Sequence, residues 1–345
     1  MVKRLNIDQL NIRQKSEARE EGLSPFAVKS RLSRGRVVPE EPCPIRTAFQ
    51  RDRDRIIHTK AFRRLKHKTQ VFIAPLGDHY VTRLTHTLEV SQIARTIARA
   101  LNLNEDLVEA ATLAHDLGHT PFGHAGEEVL NELYHQGFHH NLQSLRIVDV
   151  LENDGIGLNL TWEVRDGIVN HSKSGLTSLQ QDWGKVGTVE GEVCRIADIV
   201  AYINHDIDDA VRAGVIHESD LPPEAVDVLG DSNSSRINTM VSDIIANSWE
   251  RPAIAMSPDV LNATDALRKF LFQRVYHLAR KDAEIGREVV CRLYDYFRTN
   301  QDKLPREYLL HSEEAEQGVV DYIAGMTDQF ALRLAEDLKL FFIAR

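Results

Sequence analysis

The chain has 345 residues, 42% hydrophobic and 27% charged, with a net charge of -9 at pH 7. This composition suits a soluble globular protein long enough for a large core and one or two domains. Its three cysteines, Cys43, Cys194 and Cys291, are far apart and lack CxxC spacing, which argues against a disulfide framework or a zinc ribbon. Residues 1–15 carry no apolar core of a secretory signal and no apolar run approaches the length of a membrane span, so the cytoplasm is the expected location.

The charge is uneven. Residues 1–70 hold eighteen Lys and Arg against eight Asp and Glu, whereas the remainder holds twenty-four against forty-three. A basic N-terminal fifth on an acidic body points either to a polyanionic partner, phosphate groups or nucleic acid, or to a solvated arm that pairs with acidic surfaces of its own or a neighbouring subunit. The spacing predicts a short helix over 13–22, then an extended arm punctuated by Pro25, Pro39, Pro42 and Pro44. Arg31, Arg34 and Arg36, interleaved with Ser30, Ser33 and Gly35, suit a phosphate grip or a surface loop equally by type. Residues 1–45 are read as a basic arm, 46–215 as the core domain, and 216–345 as a helical region packed on it.

Interleaved acids and bases over 46–58, with Phe49, Ile56 and Ile57 on one side, predict a helix, followed by a second turn ending near Lys68. Thr69 to Ile73 has strand-like composition, closed by Pro75 and Gly77. Leu84, Leu88, Ile93, Ile97 and Leu101 give a helical stripe over 82–101, with Arg83 and His86 near its start. Asn104 caps a helix from Glu105 to Leu117, in which Ala110, Ala111 and Ala114 permit close packing. Its end opens the densest stretch of the chain, Ala114 to Glu127, which contains His115, Asp116, His119, His124 and Glu127, with Gly118 and Pro121 at a helix stop. His124 and Glu127, three apart, meet on a new helical turn. Six of the fifteen histidines fall between 115 and 140.

Further helices are predicted over 141–153 and 162–171, with a polar loop over 172–187. The helix over 190–213 packs through Val193, Ile196, Val200, Ile203, Ile207 and Val211, while Asp198, Tyr202, Asp206 and Asp209 share another face, flanked by His205. Such an acidic face is usually solvated, but Asp198 sits between Ala197 and Ile199, where an unpaired carboxylate is costly and a metal would remove the cost. From 216 onward the chain reads as mostly helical, with stripes at Leu267, Phe270, Leu271, Val275 and Leu278 and at Phe330, Leu334, Leu338 and Phe341. Those stripes fit a homo-oligomer interface or an intramolecular core.

His86, His115, Asp116 and Asp198 together form a mixed nitrogen and oxygen donor set from three helices. It suits Mn, Fe, Co, Ni or Zn and tolerates Mg, and leaves positions for water and a phosphate oxygen. His124, oriented by Glu127, is placed for proton transfer to a leaving oxygen, and His119 and His140 for contact with phosphate oxygens.

The order His86, His115-Asp116, Asp198 matches the HD-domain phosphohydrolases. The longer runs 51–58, 62–72, 83–90, 115–127 and 198–210 resemble the deoxyguanosine triphosphate triphosphohydrolase-like proteins. The resemblance implies an all-α HD fold with added C-terminal helices, and metal-dependent cleavage of a dNTP to deoxynucleoside and triphosphate by water attack at the α-phosphorus. It also implies that Gln70 contacts the sugar 3′-OH, Tyr202 stacks on the deoxyribose, Asp206 accepts from the 3′-OH and Arg83 meets the α-phosphate. Some distant relatives have a Lys after the late metal Asp, where this chain has Ile199, so other groups must hold the β- and γ-phosphates. The rival readings are an HD phosphohydrolase of nucleoside monophosphates or guanosine polyphosphates, and a regulatory protein that binds single-stranded nucleic acid with little turnover. The preferred base, the metal and any need for an activating nucleotide stay open.

Overall fold

The structure is a computed structural model that describes residues 10–71, 80–172, 186–312 and 314–341, with the backbone alone over 277–283. The described residues are helical, with no strand among them. Two isolated bridges, Arg36 with Thr161 and Thr69 with Thr82, are the nearest approach to one. Of the stretch from Thr69 to Ile73 that reads as strand-like, residues 69–71 are described and form one bridge, while Phe72 and Ile73 lie outside the described residues. Thr69 is instead fastened by its N–H and hydroxyl to the Asp328 carboxylate, while Pro75 and Gly77 lie outside the described residues.

Helix α1 (Ile12–Arg19) tightens into a 3-10 turn at Glu20–Gly22, as its spacing predicts. The arm beyond it is tied down. Arg31 pairs with Glu21 at 2.6 Å, Arg34 lies 3.7 Å over the Trp162 ring, and Arg36 pairs with the buried Asp52, which also accepts from the Thr161 N–H at 2.8 Å. Around α2 (Ala48–Ile57) and α3 (Lys60–Arg64), Arg46 pairs with Asp54, Arg51 and Arg55 with Glu40, and Arg53 with Asp106 and Glu109. Of the two readings of the basic N-terminal fifth, these contacts favour pairing within the chain.

Helix α4 (Arg83–Ala100) is started by a Thr82 capping box, and α5 (Glu105–Ala114) by Asn104, whose side chain accepts from the Leu107 N–H. The buried face of α4 includes Arg83, His86, Thr87 and Ser91 beside Val90, Ile93 and Ile97, so four polar residues share the core side. Leu88, expected on the packing stripe, is 51% exposed because the helix turns its histidine inward instead. Next come α6 (His124–Leu133), α7 (His140–Arg146) with a π turn at Ile147–Leu151, a single turn α8 (Glu152–Gly155), α9 (Trp162–Asn170) and the long α10 (Val189–Arg212). The C-terminal part comprises α11 (Pro223–Leu229), α12 (Asn233–Ser248), α13 (Pro258–Leu271), a π turn at Phe272–Tyr276, α14 (His277–Thr299), α15 (Arg306–Leu310), α16 (Ala315–Ala324) and α17 (Asp328–Asp337).

Three apolar clusters hold these helices. One joins α4 and α10 to α11, α12 and α13 through residues such as Val90, Ile97, Ile196, Ile203 and Leu267. A second joins α6 to α14, α16 and α17 through Leu130, Leu293, Val320 and Ala331. The third joins α2, α5 and α9 through Phe49, Ile56, Leu107, Leu113 and Ile168. The loop from His115 to Gly123 lies among them, and close packing fixes it. A Cβ on Gly118 would stand 2.2 Å from the Ser144 nitrogen, while its own N–H donates to the Ser144 hydroxyl at 2.8 Å. Gly118→Ala is expected to lower stability by about 1–3 kcal/mol, the usual cost of forcing extra volume into a packed site, read as a lower midpoint in chemical denaturation.

Glu190, in the first turn of α10, is fully buried. Its Oε1 accepts from the backbone N–H groups of Val28 at 2.9 Å and Asn104 at 3.2 Å, tying the arm and the α4–α5 corner to α10. Burial pushes its carboxyl up to about 7. The native state therefore keeps a proton that the unfolded chain releases near about pH 4.3, and stability from this group falls as pH rises from there through about 7. Glu190→Gln keeps an acceptor and cannot ionise. Its denaturation midpoint should gain on the parent between pH 5 and pH 8, and parallel pH profiles would show that Glu190 does not titrate in that range.

Candidate active site

Four expected ligands converge. His86 comes from the first turn of α4, His115 and Asp116 from the end of α5, and Asp198 from the middle of α10. His86 Nε2 lies 3.4 Å from His115 Nε2, 3.1 Å from Asp198 Oδ1 and 3.8 Å from Asp116 Oδ2. His115 Nε2 is 3.6 Å from Asp116 Oδ1 and 3.9 Å from Asp198 Oδ1. Donors bound at about 2.1 Å around one ion stand about 3.0–3.4 Å apart when adjacent and farther when opposite, so this set fits a divalent cation. Hydrogen bonding prepares the donors. His115 Nδ1 donates to the Thr112 carbonyl at 2.6 Å, which leaves the Nε2 lone pair facing the cluster. His86 Nδ1 lies 2.9 Å from His205 Nε2, His205 Nδ1 lies 2.8 Å from Asp206 Oδ1, and the Tyr276 hydroxyl donates to Asp206 Oδ2 at 2.5 Å.

The protonation states agree with ligation. Burial opposes ionisation of Asp198, but contact with His86 and the neighbouring His115 outweigh it and hold the carboxyl at about 2. Burial likewise opposes charge on Asp116, which His115 and Arg83 nevertheless hold well below the usual carboxylate range. Burial lowers His86 and keeps it neutral.

A second group adjoins the first. Glu127 accepts from His140 Nδ1 at 2.8 Å and from the His140 backbone N–H at 2.9 Å, and lies 3.3 Å from His124 Nδ1. The spacing of His124 and Glu127 on α6 does bring them together, yet the tighter partner of Glu127 is His140. His124 is 72% exposed. His119 stacks on His140 at 4.4 Å between ring centroids, and its buried Nδ1 has no partner. Burial drives His119 well below its ordinary value, with Arg83 and His140 adding to the effect. Burial opposes charge on His140, but the Glu127 carboxylate raises its pKa above the ordinary imidazole value.

Arg83 donates to Asp116 Oδ2 at 2.6 Å and its buried Nε is free of partners. Gln70 presents a buried Oε1, also without a partner. Tyr202, whose hydroxyl adjoins Arg268 of α13, and Ile199 both pack against the apolar cluster of α4 and α10. Asp206 stands behind His86 through His205.

Two residues escaped the sequence reading as site members. His205 was only a flank of the acidic face, and it backs His86. His171 was only the end of a predicted helix. Its ring is buried, with Nε2 3.1 Å from His140 Nε2 and 3.9 Å from Asp116 Oδ1. Burial, reinforced by His115 and His140, lowers it to about 3. The available signal was positional. His171 follows α9 as His115 follows α5, and each ring donates from Nδ1 to the carbonyl three residues back.

Two family models match: the HD domain over residues 83–218 and a phosphohydrolase-associated domain over 254–337. The chain is 59% identical to a deoxyguanosinetriphosphate triphosphohydrolase-like protein of Caldanaerobacter subterraneus over 92% of each chain. It is 51% identical to a protein of that name from Desulfatibacillum aliphaticivorans, over 96% of this chain and 99% of the relative. A third, from Clostridium tetani, is 46% identical over 97% and 98%. A solved structure of a hypothetical protein from Aquifex aeolicus aligns with a TM-score of 0.46 at 20% identity, covering 83% of this chain and 67% of that one, a likeness too slight to argue from. Identity at this level over nearly full length, together with the HD-domain match, assigns the chain to the deoxyguanosinetriphosphate triphosphohydrolase-like family of HD-domain proteins.

Proposed function

We propose that the protein is a metal-dependent phosphohydrolase that cleaves a deoxynucleoside triphosphate to deoxynucleoside and inorganic triphosphate. The observation that carries this reading is the convergence of His86, His115, Asp116 and Asp198 beside the unpartnered buried polar atoms of Gln70, Arg83 and His119. Such atoms are costly to bury and await a polar ligand. His86, His115, Asp116 and Asp198 would hold a divalent cation, which would polarise a phosphoryl oxygen and lower the pKa of a bound water.

The surrounding side chains divide the remaining work. Arg83, anchored on Asp116, offers its free Nε to a phosphate oxygen. His119 offers its free Nδ1–H to another, and the raised pKa of His140 keeps positive charge beside it. His124 protonates the departing O5′ while Glu127 orients its ring; its exposure gives it a route to solvent protons. Gln70 Oε1 accepts from the sugar 3′-OH, and Tyr202 stacks on a sugar whose 2′-OH it would crowd. Asp206 Oδ1, close to His205 but without an aligned hydrogen bond, has capacity for a further donor. Arg268 beside Tyr202 adds the positive charge that Ile199 does not supply.

The test is chromatography of products after incubation with each dNTP and with GTP, in Mn or Mg. Deoxynucleoside plus triphosphate is expected, with loss of at least about a hundredfold in Asp116→Ala, beyond what supporting contacts to a metal site usually carry. Mono- or diphosphate products would redirect the assignment to another phosphohydrolase. No turnover with mixed dNTPs would overturn the enzyme reading. Glu127→Gln should lower kcat by about a hundredfold, within the usual range for general acid–base assistance, with metal content unchanged. Unchanged kcat would remove Glu127 from the proton path.

A further inference from the structure

A chain of side-chain contacts leads away from the four donors. For His86 to bind a cation through Nε2, its Nδ1 must carry the hydrogen and find an acceptor. That acceptor is His205 Nε2, at 2.9 Å. The ring centroids are 5.0 Å apart and the ring planes stand at 81°, so the two imidazoles meet through their nitrogens and not their faces. A neutral imidazole that accepts at Nε2 keeps its hydrogen at Nδ1. His205 Nδ1 lies 2.8 Å from Asp206 Oδ1. The two atoms are not aligned as a hydrogen bond, but the negative charge beside Nδ1 favours a hydrogen there. Burial opposes charge on His205, yet the carboxylates of Asp206, Glu89 and Asp209 raise its pKa, and a more basic ring is the stronger acceptor.

Asp206 is held in turn by the Tyr276 hydroxyl, which donates to Oδ2 at 2.5 Å. Burial and the adjacent Asp206 charge keep that phenol protonated. His86, His205 and Asp206 are all buried, so bulk water does not compete for these contacts. The two metal-facing histidines are thus supported differently. His115 donates to a backbone carbonyl of its own helix, whose strength is fixed. His86 donates to a side chain that Asp206 can make a better or worse acceptor. The chain begins at Tyr276, in the stretch matched as a phosphohydrolase-associated domain, and ends at His86, in the stretch matched as an HD domain.

We infer that His205 is the positioning residue of His86 and that Asp206 tunes it, so that cation affinity is set partly from the sugar end of the site. The inference rests on the proposed reading, in which the four donors hold a cation and Asp206 Oδ1 takes a further donor from the substrate. Its test needs no nucleotide, so a failure of the proposed cleavage would not touch the result. Untagged full-length protein is stripped of metal and titrated with Mn, and free Mn is followed by electron paramagnetic resonance. His205→Leu should weaken Mn binding by about 10–100-fold, the usual cost of losing an outer partner of a metal-bound histidine. His205→Gln, whose side-chain oxygen can accept from the same N–H, should recover most of that loss. A space-filling role would reverse this order, because Leu keeps apolar volume and Gln does not. His205→Asn, whose amide stops short of His86, takes the place of His205→Leu if the latter lowers the denaturation midpoint. Asp206→Asn, nearly isosteric, should weaken Mn binding in the same direction and by less. Equal Mn affinity in the parent and the acceptor-less variant, or no recovery with Gln, would overturn the positioning role. Unchanged affinity in Asp206→Asn would overturn the tuning. No Mn bound by the parent would overturn the cation site and this inference together.

Discussion

An ionised carboxylate in the protein interior must be surrounded by groups that favour its charge, and Asp116 imposes that condition on the whole molecule. It is nearly buried, and one oxygen meets the Arg83 guanidinium while the other faces His115 and His171. Meeting the condition brings α4, α5 and α9 to one place, since each supplies one of those partners. Asp198 of α10 completes the group by meeting His86 at 3.1 Å. The apolar clusters then fill the space around a polar centre, rather than the centre being cut into a finished core.

Much of this was legible locally. Thr82, Asn104 and Thr188 cap their helices as their residue types suggest, because a cap depends on neighbours three residues away. The His124–Glu127 contact was legible because three residues on one helix separate them, whereas the convergence of His86, His115, Asp116 and Asp198 was expected from the HD-domain pattern and not from local spacing. Contacts between distant segments were harder to read. Nothing in residues 30–36 alone says that Arg36 meets Asp52 and Thr161, and so the arm could be a phosphate grip or a self-paired strap. Leu88 looked like a core residue because hydrophobic periodicity weighs apolar side chains only, whereas α4 turned to bury His86 and Arg83. His171 was hidden because its partner, His140, is thirty-one residues earlier in sequence and 3.1 Å away in space. The Glu127–His140 contact was missed for a similar reason: the chain between them loops back after α6.

The loop that carries His119 depends on side chains well outside the HD match. Phe122 and Gly123 both adopt positive φ, and for Phe122 this costs conformational energy. The Phe122 N–H donates to Asp328 Oδ1 at 2.9 Å, and its ring lies against Gly286 of α14, where any Cβ would clash at 2.6 Å. Asp328 also holds Thr69 through its other oxygen. One carboxylate at the start of α17 thereby fixes the segment before Gln70 and the loop after His119 together.

Lys68 extends this connection. Fully surrounded by protein, its ammonium donates to the carbonyl of His119 and, at 2.8 Å, to that of Ala324 at the end of α16, and burial pulls its pKa down to about 7. The stretch matched as an HD domain starts fifteen residues after Lys68 and ends well before Ala324, so the domain as recognised in sequence omits both anchors of its own loop. For recombination, whether natural or in the laboratory, the transferable unit is therefore larger than the motif. Segments 64–71, 115–123 and 321–331 are bound to descend together, because exchanging any one alone leaves an ammonium or a carboxylate facing a foreign surface.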